Sequence, residues 1–185
     1  MRSLSNALNK ISPGWVTLTG LIVFVLFSVL VLPQQSSKAD GGGEDVGSPD
    51  LSIYYSTDQL YDMAAAYGES GRADYIQARF TFDIIWPIVY GVFLVTSISW
   101  LTSQGFKKSS VFQNANLVPV FGVLFDFLEN VSTSLVMYRY PIKTPVVDII
   151  APLFTTIKWF LVGGSFILLV LGLGAWIFST FRKTK

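Results

Sequence analysis

Apolar residues in this chain gather into four continuous blocks, 15–32, 80–101, 117–136 and 149–178, separated by polar stretches. Each block approaches or exceeds the roughly 20 helical residues needed to cross about 30 Å of hydrocarbon. Because they are continuous rather than alternating, they read as helices and not as barrel strands. The pattern predicts an all-α protein, a four-helix transmembrane bundle with spans over 15–32, 72–101, 111–138 and 147–179. The stretch 33–55 holds Gly, Ser and acidic residues with almost nothing to bury, and is expected to be a flexible linker. After it, Ser56 and Gln59 carry a capping-box signature. Leu60, Met63, Ala64 and Tyr67 then recur at helical spacing up to Gly68, which predicts a short amphipathic extracytoplasmic helix over 56–68. Its apolar stripe would lie on the membrane surface or cover the mouth of the bundle.

Composition supports the membrane reading: 51% of residues are hydrophobic and only 14% charged, gathered in blocks rather than spread as in a soluble domain. Charge then sets an expected orientation. Segments 1–14, 102–110 and 180–185 hold Arg2, Lys10, Lys107, Lys108, Arg182, Lys183 and Lys185 and no acid, whereas most acids fall in 33–74 and in Asp148. Both termini are therefore expected in the cytoplasm, with the acidic linker, the amphipathic helix and the loop 139–146 outside. Trp15, Trp100 and Trp176 would form an inner aromatic belt, with Trp86 and Trp159 toward the outer interface. Ser37-Lys38-Ala39 resembles a signal-peptide cleavage site, but the apolar core before it exceeds the usual length of about 7–15 residues, so an uncleaved anchor is expected.

The chain has no Cys and no His. Disulfides, thiol nucleophiles and the usual zinc and copper sites are thereby excluded, and chemistry is left to carboxylates, amines, tyrosines and amides. Against this background Asp126, Glu129 and Asn130 stand out, since they interrupt an apolar span at spacings that place all three on one helical face. Carboxylates in hydrocarbon normally face a polar interior with a partner. Candidate partners are Arg79 and Asp83 near the start of the second span and Lys158 near the start of the fourth.

At a rise of about 1.5 Å per residue, Asp83 lies about 27 Å above Leu101, Lys158 about 30 Å above Phe178 and Glu129 at least about 18 Å above Leu117, which puts all of them in the outer half. Arg79 and Asp83, four apart, would pair within one helix and leave Lys158 to the carboxylates of the third span. Three carboxylates against two cations leave one negative charge, to be neutralised by a proton, a cation or a basic ligand group. Pro87 and Pro152 lie near this level, and a proline kink frees a carbonyl that could join the site.

Three readings follow. The groups bind or pass a small cationic or amphipathic ligand or a proton; they only fasten helices, as in a non-catalytic scaffold subunit; or they catalyse. Catalysis has the least support. Asp83 and Asp126 invite comparison with intramembrane aspartyl proteases, but Gly122-Val-Leu-Phe-Asp126 is not their Gly-x-Gly-Asp motif. Asp126 and Glu129 could ligate Mg²⁺, yet no Asp-rich transferase signature, phosphate loop or activated serine is present. No catalytic residue, metal or cofactor is expected.

Tyr138, Arg139 and Tyr140 form a candidate rim for lipid headgroups or an anionic ligand, with plain interfacial anchoring as the alternative. Glycines 163, 164, 172 and 174 would let backbones approach closely within the bundle or in a homodimer. The expected partners are the lipid bilayer, a small-molecule, lipid or cation ligand and a second copy or larger membrane complex, with no nucleic acid.

The segment from Tyr67 through Gly68-Glu69-Ser70-Gly71-Arg72-Ala73-Asp74-Tyr75 to Arg79-Phe80-Thr81-Phe82-Asp83 and Pro87, with Asp126-Phe127-Leu128-Glu129-Asn130 later, resembles small four-span bacterial integral membrane proteins that carry no assigned activity. The resemblance covers about a third of the chain. It implies a bacterial inner membrane and brings no mechanism with it.

Overall fold

The computed structural model describes residues 2–34, 47–106 and 110–183. Among them every regular element is helical. In order these are α1 (Arg2–Lys10), α2 (Gly14–Leu30), a 3₁₀ turn η1 (Pro49–Leu51), α3 (Thr57–Arg79), α4 (Phe82–Gly105), a second 3₁₀ turn η2 (Val111–Asn114), α5 (Leu117–Arg139) and α6 (Val147–Lys183). Four stretches are long and apolar enough to cross a membrane: Gly14–Gln34, Thr57–Gly105, Val111–Arg139 and Val147–Arg182. Of the residues weighed above, 35–46 of the linker, Lys107, Lys108 and Lys185 lie outside the described residues.

The chain divides into two compact units. The first comprises Met1–Phe27, Ile88–Gly122 and Phe160–Lys185. Here α4 and α6 come together where side chains are small. A Cβ on Gly105 would stand 2.9 Å from the Trp176 backbone nitrogen, and one on Gly172 would stand 3.1 Å from Leu101 Cβ, so glycine permits the approach. Trp100 and Trp176 meet with ring centroids 5.3 Å apart. Helix α1 is held by a neutral polar cluster. Asn116, fully buried, precedes α5 in a capping position but turns its Nδ2 to Ser5 O (3.2 Å), Asn9 Oδ1 (3.0 Å) and Ser99 Oγ (2.9 Å). Ser5 Oγ in turn donates to Gln113 O at 2.7 Å.

The second unit comprises Ser28–Pro87 and Val123–Trp159. The capping box forms in full, with Gln59 N donating to Ser56 Oγ and Ser56 N donating to Gln59 Oε1. Gly68, at φ 63°, breaks the helical path inside α3. Arg72 Nη1 then donates to Ala64 O at 2.8 Å, serving a carbonyl next to the break. The stripe Leu60, Met63 and Ala64 is buried in a core cluster with Tyr55, Tyr75, Val136, Met137 and Ala151. That face is thus packed inside the protein instead of lying free for a membrane surface.

Two expectations change. The predicted continuous helix from 72 into the second span is interrupted at Phe80 and Thr81, where Thr81 Oγ1 donates back to Gln77 O at 2.7 Å and the chain tightens into a turn. The expected flexible linker ends early. Its residues 47–55 include η1 and the almost fully buried Tyr55, because Pro49 sets the backbone for a turn and the side chains that follow find partners.

Candidate functional site

The second unit brings Arg79, Asp83, Asp126, Glu129, Asn130 and Lys158 into one network, all buried. Arg79 closes α3 and Asp83 opens α4, and across the intervening turn Arg79 Nε pairs with Asp83 Oδ2 at 2.9 Å. Helix α5 supplies Asp126, Glu129 and Asn130 from one face, and α6 supplies Lys158, whose ammonium pairs with Glu129 Oε2. Arg79 Cζ also lies 4.6 Å from the centre of the Tyr75 ring. Tyr75 is anchored in turn by its hydroxyl, which donates to Thr133 Oγ1 at 3.1 Å.

Proline chemistry explains why an amide belongs among the charges. Pro87 has no N–H for the carbonyl four residues earlier, that of Asp83. Asn130 Nδ2 donates to that oxygen at 3.1 Å and to Asp126 Oδ1 at 3.3 Å. The same logic recurs in α6: Pro152 leaves the Asp148 carbonyl without its helical donor, and Thr57 Oγ1 donates to it at 3.1 Å. Asn130 Oδ1, fully enclosed, has no hydrogen-bond partner among the described residues.

Three participants were not foreseen in the sequence. Asp50, at the centre of η1, joins the two cations: its Oδ1 accepts from Lys158 Nζ at 2.8 Å and its Oδ2 pairs with Arg79 Nη1 at 3.2 Å. Burial alone would push the Asp50 carboxyl up, but the Lys158 ammonium and the Arg79 guanidinium overcome this and hold it well below the usual carboxylate range. Thr155 Oγ1 donates to Glu129 Oε1 at 2.6 Å, and the Tyr55 hydroxyl lies 3.0 Å from Thr155 Oγ1. With the Thr155 proton directed at Glu129, Tyr55 is the donor to Thr155. Burial pushes the Tyr55 phenol up and so keeps it a neutral donor.

Thr155 was within reach of sequence reasoning, since it stands three residues before Lys158 on the same helical face. For Asp50 the available signal was Ser48-Pro49-Asp50, a turn-starting motif at the end of a stretch that otherwise reads as spacer.

The rim residues lie elsewhere. Tyr138 and Arg139 are exposed, and Tyr140 lies beneath Arg72, whose Cζ is 4.7 Å from the ring centre. Among the described residues, no group of three carboxylates is arranged to hold a metal ion.

The arrangement concentrates four carboxylates, Asp50, Asp83, Asp126 and Glu129, around two cations, Arg79 and Lys158, in a poorly hydrated place. Fully ionised, it would carry two uncompensated negative charges. Comparison with known proteins adds no role to these residues: no protein-family model matches the chain, and neither the curated proteins nor the solved structures contain a match.

Proposed function

We propose that this is a four-span integral membrane protein of a bacterial inner membrane, with both ends on the cytoplasmic side, whose carboxylate and lysine network binds or passes a proton or a small cationic or amphipathic ligand. The four long apolar helices and the basic ends support the placement. The binding reading is carried by one observation, the excess of four buried or half-buried carboxylates over two cations in a single hydrogen-bonded network. Removing two negative charges from water without a counter-charge is costly enough that a proton or a cation accompanies them. The donor set favours a proton or an organic ammonium over a bare metal ion, because the carboxylates do not converge as a ligand group. The Tyr55–Thr155–Glu129 chain offers a line of oxygens along which a proton reaches Glu129.

The alternative is a scaffold subunit in which these groups only fasten helices. It draws on Arg79 and Lys158 each bridging two carboxylates from different segments. Comparing melting temperatures of Asp126→Asn and Glu129→Gln with the parent separates the two. A proton or cation site predicts unchanged or higher stability, since each variant removes excess charge, together with loss of a protonated-carboxyl infrared band that titrates in the parent. Marked destabilisation with the titrating band intact assigns the network to fastening alone.

A further inference from the structure

Arg79 and Lys158 share one occupant that does not belong to a long apolar helix. Asp50 comes from the η1 turn and places one oxygen on each cation. Its side chain is 27% exposed, against 6% for Arg79 and 4% for Lys158. A carboxylate divided between a guanidinium and an ammonium is the geometry by which such pairs recognise carboxylate ligands. Each cation also has a second carboxylate of its own, Asp83 for Arg79 and Glu129 for Lys158. Neither would be left as an unpaired buried charge if Asp50 withdrew, so exchange of Asp50 for another anion conserves the charge of the network.

The surroundings of the strap indicate what kind of anion. Leu51, Ile53 and Tyr54, directly after Asp50, expose apolar side chains. Beside them runs a groove of about 490 Å³ whose wall includes Tyr54, Tyr55, Ile149, Pro152 and Leu153, a volume within the range of about 300–1,000 Å³ typical of small-molecule sites. Ile149 and Leu153 are exposed on α6, a helix apolar enough to meet acyl chains. Tyr55 links the groove to the network, lining the first while its hydroxyl bonds Thr155 in the second.

We infer that Asp50 is a tethered stand-in for the carboxylate of a single-chain anionic amphiphile, a fatty-acid anion, which displaces the η1 strap, places its headgroup between Arg79 and Lys158 and lays its chain along the Tyr54–Leu153 groove. This reading is independent of proton or cation uptake at Asp83, Asp126 and Glu129 and stands or falls by itself.

The test titrates oleate onto the full chain in detergent and reads bound stoichiometry by native mass spectrometry, for the parent, Asp50→Asn and Asp58→Asn. Asp58 is an exposed acid on the same groove that pairs with neither cation in the network. If the strap is withdrawn in about a tenth of parent molecules, apparent affinity is reduced about tenfold by that fraction, and D50N removes the competitor. The expected result is oleate binding that tightens about tenfold in D50N and by less than about threefold in D58N, with oleyl alcohol, the same chain without a charge, unaffected by D50N.

Oleate affinity that is unchanged or weaker in D50N overturns the inference, as does an equal gain for oleyl alcohol. Acetate binding to D50N as tightly as oleate overturns the amphiphile. A D50N chain that cannot be recovered folded also overturns it, because Asp50 is then an anchor that the fold cannot release.

Discussion

Each unit of this protein buries a polar cluster, and the two clusters are built from different chemistry. In the first unit Asn116, Ser5, Asn9, Ser99 and Gln113 hold α1 to the helices with amides and hydroxyls alone. In the second, six ionisable groups and one asparagine share a network with an unequal charge count. Neutral groups thus suffice to fasten helices here, with interhelical hydrogen bonds of roughly 0.6–2 kcal/mol each. The charged cluster costs more desolvation than fastening requires, and that difference is the physical ground of the proposal that it holds a ligand or a proton.

The contrast breaks or sharpens first at Lys158. Lys158→Met leaves Glu129 and Asp50 short of a cation, and loss of one partner of a buried pair costs about 3–5 kcal/mol, read as a large fall in melting temperature. Asn116→Ala removes neutral bonds and should cost about 1–3 kcal/mol, with hydrogen exchange rising over residues 2–10 while the second unit stays protected. Equal costs for the two substitutions would erase the distinction between the clusters.

A smaller effect isolates the amide inside the charged network. If Asn130 is there to serve the carbonyl that Pro87 strands, Asn130→Leu destabilises by about 1–3 kcal/mol by leaving that oxygen unpaired. Pro87→Ala restores an N–H to bond it. In the Pro87→Ala background Asn130→Leu should therefore cost less, by a coupling of about 1 kcal/mol in a double-mutant cycle on chemical unfolding. Zero coupling would show that Asn130 acts only through Asp126.

These particulars show how far the sequence was legible. Block lengths announced the long apolar helices, and helical spacing put Asp126, Glu129 and Asn130 on one face, because periodicity and hydrophobicity are local properties. Depth arithmetic put Lys158 level with the carboxylates of the third span, since helix rise is nearly constant, but which of Asp126 and Glu129 it pairs with is read only from the folded chain. Asp50 was illegible for the opposite reason: a short turn has no period, and its partners lie 29 and 108 residues away. The break at Thr81 escaped notice because a threonine back-bond to Gln77 is compatible with either a helix or its end.

Acid exposes Asp50 in a second way. Its carboxyl is lowered in the folded state from an ordinary 3.8, so its stabilisation is complete above that value and drains away as pH falls below it. The difference in melting temperature between the parent and Asp50→Asn should accordingly shrink as pH falls below about 4. A difference that grows with acid would mean that the ion pairs to Lys158 and Arg79 do not persist in solution.

The smallest effect lies in a part of the second unit with no charge imbalance. Val146 adopts φ 74°, a conformation costly for a β-branched residue, and its carbonyl accepts from Ile149 N and Ile150 N to start α6. The turn is held from outside, since Thr144 N donates to the Tyr61 hydroxyl at 2.7 Å and that hydroxyl donates to Asp148 Oδ2 at 3.0 Å. Val146 is 65% exposed, so its side chain contributes little burial to set against the strain. Relief of about 1–3 kcal/mol exceeds the roughly 0.5–1 kcal/mol that glycine costs through unfolded-chain entropy. Val146→Gly should raise stability by up to about 1 kcal/mol, an increase detectable by thermal melting. A decrease would mean that the valine stiffens the start of α6 by more than its backbone strain costs, placing the rigidity of that helix entry in the side chain instead of in the Tyr61 clasp.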